Sequence, residues 1–150
     1  MHPPGASAAF AEVFRTSNDP ALRSMILGNM GSTGDVENTF ALSAEVCGLA
    51  SGTAFDPAMA PVALQSLKNL PYASPESRAR TVALIVDVCL KPAASLEFLD
   101  RATRVLFEHD PGAIDGLIAS LEASDPRKSQ QVRSLRASLE QASSRAPDLR

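Results

Sequence analysis

Ser74 to Leu90 reads SPESRARTVALIVDVCL, and the reading of this stretch decides the fold. After Ser-Pro and two arginines, Val82 to Leu90 is apolar apart from one carboxylate, Asp87. A helix that is apolar all round belongs inside a bundle, so the segment is expected to be a central helix, with Leu84, Ile85 and Val88 in the core. Val, Ile and Thr also favour strands. A lone buried strand would need partners, however, and no second β-branched run without helical period accompanies it.

On the N-terminal side, Ser7 is placed to cap a first helix with Phe10, Val13 and Phe14 at i, i+3, i+4. Asn18-Asp19-Pro20 is a cap followed by proline at the first helical position. Leu22, Met25, Ile26 and Met30 should then line one face, with Gly31 as a stop. Asp35 or Thr33 caps a third helix running to about Ala50 and ending at Gly52, with Thr39, Leu42, Val46 and Leu49 on one side. Asp56-Pro57 opens a fourth, whose regular part begins near Ala60 because Pro61 is costly inside a helix. Leu64, Leu67 and Leu70 carry its buried side.

On the C-terminal side, Lys91-Pro92 ends the central helix, and Pro92 or Ser95 begins the sixth. Its face runs through Leu96, Phe98, Leu99, Ala102, Val105, Leu106 and Phe107, while Glu97–Arg101 and Asp100–Arg104 are i,i+4 pairs on a solvated side. Asp110-Pro111 opens a seventh helix with a stripe of Ile114, Leu117, Ile118 and Leu121. Gly112, Gly116, Ala119 and Ala123 give it a small-residue side that reads as close packing. Asp125-Pro126 opens the last, where Val132, Leu135, Leu139 and Ala142 form a narrow seam.

The expected fold is therefore all-α, about seven or eight helices without sheet, as a compact bundle or a short α-solenoid-like array. Pro57, Pro75, Pro92, Pro111 and Pro126 recur at 18, 17, 19 and 15 residues, one helix plus a turn, so two such steps approach the length of a helical repeat. Asp19-Pro20-Ala21-Leu22-Arg23 and Ser74-Pro75-Glu76-Ser77-Arg78 resemble the Asp-Pro-x-x-Arg element of HEAT repeats, which implies stacked helix pairs. Those two pieces begin the second and fifth helices, which have opposite parity in such a stack, so an irregular orthogonal bundle stands beside it. One domain over residues 7–143 is expected, with flexible tails at 1–6 and 144–150.

Aromatics are few, with no Trp, one Tyr and six Phe, so Ala, Leu, Val, Ile and Met must build the core. Residues 126–150 hold six bases against two acids, a net +4 within a total of −3. That asymmetry is too mild for a nucleic-acid surface. No apolar run approaches the ~20 residues of a membrane span, and MHPPGASAAF lacks the basic and apolar regions of a secretory signal. A cytoplasmic protein is expected. Cys47 and Cys89 lie in apolar stretches and read as reduced, buried thiols.

No phosphate loop, Cys-x-x-Cys, His-Glu-x-x-His or Gly-x-Ser-x-Gly is present. His2 lies in the tail, and His109 fits a cation at a helix C-terminus. Neither the spacing of a metal centre nor that of a catalytic or cofactor site emerges. Asp87 must sit at a wet edge, pair with an arginine such as Arg80, Arg101 or Arg104, or form the polar floor of a pocket. Tyr72, on a loop, is a candidate contact. Arg127, Lys128, Arg133 and Arg136 beside the last seam are candidates for docking an acidic partner. The expected function is a non-enzymatic protein–protein interaction module of the adaptor, chaperone, immunity or effector type. The alternative is a small-molecule-binding or regulatory bundle with a pocket near Asp87. Association of two copies through the last helix stays open.

Overall fold

The computed structural model describes residues 6–33 and 35–145. Helix accounts for 76% of the described residues, and the fold is all-α. In order come α1 (Ala6–Thr16), α2 (Pro20–Met30), α3 (Val36–Val46), α4 (Ala60–Leu67), a 3₁₀ turn at Leu70–Tyr72, α5 (Pro75–Cys89), α6 (Leu96–His109), α7 (Gly112–Ser124) and α8 (Pro126–Arg145). The described residues hold no strand, only an isolated bridge between Cys47 and Phe55. Residues 1–5 and 146–150, where most of both expected tails fall, lie outside the described residues.

The starts of the helices follow local chemistry. Asp19 Oδ1 accepts from the Ala21 amide at 3.0 Å, Asp35 Oδ1 from Asn38 at 3.0 Å, and Ser95 Oγ from Phe98 at 3.0 Å. Each satisfies an amide that the helix itself leaves open. The ends are less local. The third helix stops at Val46, short of Ala50, because Gly48 takes a left-handed φ of 72°. There the chain turns so tightly that a Cβ on Gly48 would meet the Phe55 amide nitrogen at 2.6 Å. Gly31 ends α2 differently from the expected left-handed stop. Its φ is −61°, ordinary for any residue, and glycine is needed for space: a Cβ would lie 2.2 Å from the Ser66 carbonyl oxygen.

The chain divides into two compact units, one ending at Leu84 and the other beginning at Ile85. In the first, α2 packs against α4 and α1, and α3 against α4, around Phe14, Leu27, Met30, Leu42, Ala63, Leu64 and Leu67. In the second, α8 lies along α7 and α6, closing over Leu99, Leu106, Ile114, Leu117, Leu121 and Val132.

Helix α5, which carries the boundary, is not buried all round. Ile85 and Val88 are in the core, as are Ser77, Thr81, Val82 and Cys89. Leu84 is only half-buried, against expectation, and Ala83 and Asp87 are exposed. The inward arc is completed by hydroxyl residues instead. Thr81 donates to the Ser77 carbonyl at 2.7 Å, which satisfies its hydroxyl without solvent and lets it occupy a place a larger apolar side chain would otherwise take. The two Pro-x-x-Arg elements also differ in use: Arg23 stacks on the Phe14 ring at 4.3 Å, whereas Arg78 is exposed.

The candidate site is an apolar cleft between α1 and α2

In the first helix Phe14 and Ala11 turn inward, while Phe10 and Val13 remain 41% and 42% exposed. In the second, Ile26, Leu27 and Met30 are buried and Met25 is 58% exposed. Both faces are therefore rotated from those expected. Glycine explains the rotation of α2. A Cβ on Gly31 would lie 2.2 Å from the Ser66 carbonyl oxygen, whereas one on Gly28 would make only ordinary contact with Val62 at 3.7 Å, so α2 presents its Gly31 end to α4 and swings Met25 outward. Ser66 secures this approach: its hydroxyl accepts from the Gly31 amide at 3.1 Å and donates to the Leu27 carbonyl. On α1, Arg23 stacked over Phe14 and Arg15 paired bidentately with Glu45 fix the inner edge.

Between the outward edges lies a half-open cleft of about 250 Å³, lined by Phe10, Met25, Ile26, Asn29, Met30 and Thr33. None of the six is charged. Its two polar side chains are turned to the local backbone. Asn29 Nδ2 donates to the Met25 carbonyl at 2.7 Å, and Thr33 Oγ1 donates to the Met30 carbonyl at 2.7 Å while accepting from the Asp35 amide at 3.2 Å. Met25 and Met30 give the walls flexible, polarizable thioethers that adapt to what enters.

The residues singled out from sequence lie elsewhere, and the structure does not gather them into one site. Tyr72 is 64% exposed in the 3₁₀ turn. Asp87 is exposed on α5, at a wet edge. The arginines considered for it are engaged with other acids: Arg80 with Glu37, Arg101 with Glu97 at 3.1 Å, Arg104 with Asp100 at 3.2 Å. On α8, Arg127 is exposed, and Lys128 donates to the Pro92 carbonyl at 3.2 Å. Arg133 pairs with Glu122 and Arg136 with Asp115, both on α7. Two of the four basic residues, Arg133 and Arg136, are thus answered by acids of the neighbouring helix. The seam beside it is used within the chain at Val132 and Leu135, while Leu139 is half-buried and Ala142 exposed.

Two further expectations meet the geometry. Gly116 is exposed, with nothing within 4 Å of where its Cβ would be, and Gly112 would meet only the Asp110 side chain at 3.4 Å. The small-residue side of α7 therefore makes no close packing within the described chain. Both cysteines are buried, and neither is in a disulfide. Burial, reinforced by the Asp56 charge, pushes the Cys47 thiol up to about 12. A thiolate nucleophile is thereby disfavoured at that position.

No protein-family model, curated protein or solved structure matches this chain. Among the described residues no helix is long and apolar enough to cross a membrane, and no group of three or more His, Cys, Asp or Glu is arranged to hold a metal ion.

Proposed function

We propose that the protein is a non-enzymatic protein–protein interaction module whose receptor element is the α1–α2 cleft. The observation that carries this reading is the exposure of Phe10 and Met25 together at one cleft lined by no charged residue. Large apolar side chains scattered singly over a surface need no explanation, but several around one concavity mark a binding site. The Arg23–Phe14 stack ties α1 to α2 and the Arg15–Glu45 pair ties α1 to α3, so the two helices that form the cleft are held together before a partner arrives. A partner helix that lays one apolar anchor into such a concavity uses a common recognition mode.

The test is a display selection of amphipathic helical peptides on the full chain, followed by rebinding to Met25→Asp and Phe10→Asp. Both positions are exposed, so the variants should keep the parent's helical signal. Enriched peptides should carry a large apolar anchor and lose binding by tenfold or more to either variant. Enrichment of peptides indifferent to both substitutions would move the receptor surface elsewhere. The pocket considered near Asp87 draws no support from the α1–α2 cleft, which Asp87 does not line.

A further inference from the structure

Beside the cleft, one side chain of α2 is held in place with no partner inside the chain. Six of the described arginines are paired with an acid, and Arg78 and Arg127 stand exposed to water. Arg23 does neither. Its guanidinium lies over the Phe14 ring, 4.3 Å from the centroid, and its Nε is buried without a hydrogen-bond partner. Asp19, one turn before it, caps the Ala21 amide, and no acid among the described residues forms an ion pair with Arg23. A desolvated donor left unbonded costs stability. Methionine would cover Phe14 with a flexible stem and no orphaned N–H. The guanidinium is therefore kept against the local balance, as expected of a group that acts outside its own fold.

Its geometry defines what it takes. With Nε turned inward, the side-on edge of the guanidinium is closed. The two Nη groups remain, a fork that matches the two oxygens of a carboxylate end-on. The Phe14 ring already fixes the plane of that fork, so less side-chain freedom is lost on binding than at Arg78 or Arg127. One positive charge answers one negative charge. A phosphate-bearing chain calls for further cations, and Arg15 on the facing helix is taken bidentately by Glu45. A free small acid is no better an occupant, because a single ion pair open to water is worth too little to hold it. The contact serves as one part of a larger interface, where such pairs select the partner and its register. We propose that Arg23 receives an aspartate or glutamate side chain of the protein partner. Arg23 does not line the α1–α2 cleft, so the contact is independent of what fills it, though it rests on the interaction reading above.

The fork is read first without any partner. The full chain is titrated with sodium acetate at constant ionic strength, following the Nε–Hε NMR correlation of each arginine, with Arg78 and Arg127 as internal controls. Arg23 should half-saturate at an acetate concentration at least about threefold lower than either control. An equal response would overturn the proposal and leave the interaction reading standing. In Arg23→Met the urea midpoint should match or exceed the parent's; a fall would show that Arg23 is kept for packing, and would overturn the proposal too. Peptides from the display selection are then rebound to this variant. They should carry an acidic residue, bind about fivefold less tightly than to the parent, and lose that difference when the acid is replaced by its amide. Peptides indifferent to Arg23→Met but weakened by Met25→Asp would overturn the carboxylate contact while upholding the cleft. If the selection enriches nothing, both fall.

Discussion

Replacing Gly31 by alanine sets two physical effects against each other. Gly31 has φ −61° and ψ −22°, an ordinary right-handed conformation, and a glycine-to-alanine change at such a site stabilises a protein by about 0.4–1 kcal/mol through the unfolded chain. Here the new methyl would sit 2.2 Å from the Ser66 carbonyl oxygen and 2.9 Å from its carbon. Ordinary contact begins near 3.4 Å, so α2 and α4 must separate by roughly 1 Å, and neither neighbour is the free end of a flexible side chain. Overpacking of this kind costs about 1–3 kcal/mol. Stretching the 3.1 Å bond from the Gly31 amide to Ser66 Oγ forfeits up to about 1 kcal/mol more. The net expectation is a loss of about 1–3 kcal/mol, read as a lower urea midpoint by far-UV circular dichroism with unchanged slope. Ser66→Ala provides the control, because it removes the hydroxyl but leaves the carbonyl in place. Gly31→Ala should remain destabilising in that background. A variant as stable as the parent, or more so, would refute the close approach of α2 to α4.

Gly116→Ala should do the opposite: with nothing within 4 Å of the new methyl, a gain of about 0.5–1 kcal/mol is expected by the same urea assay. Leu135→Asp combined with Leu139→Asp should lower the thermal midpoint of an unassociated chain, because Leu135 is buried within its own unit; loss of a multimer in light scattering, with stability retained, would assign the seam to another chain instead. For Cys47 the folded pKa is raised from 9.0 to about 12, so the stability that the neutral thiol contributes is complete below about pH 9 and declines as pH rises toward 12. Urea midpoints of Cys47→Ala measured between about pH 8 and 11 should therefore fall less steeply than the parent's, and identical slopes would contradict the burial.

What was legible from sequence was local. Asp19, Asp35 and Ser95 bond amides two or three residues ahead, so their spacing is enough to place the helix starts. The stripe of Ile114, Leu117, Ile118 and Leu121 is buried as its period requires. The cleft was not legible, because the residue that turns Met25 outward is a glycine, and a scan for apolar side chains assigns glycine no contact. Gly31, directly after the last residue of α2, was the available signal. In α5 the same scan passed over Ser77 and Thr81, whose burial depends on a hydroxyl bonding one turn back. The arginines of α8 looked available because Asp115 and Glu122 stand on a different helix, and a sequence does not print that adjacency.

The outward swing of Met25 also gives the protein a chemical clock. A thioether that is 58% exposed is open to peroxides, which transfer one oxygen atom to sulfur and leave as water or alcohol. The product is a polar sulfoxide. Met30, in the same cleft, is 1% exposed and shielded from that reaction. Ageing in air would thus alter one wall of the cleft while the core beneath it stays intact, and a preparation could keep its full helical signal after its apolar surface had changed character.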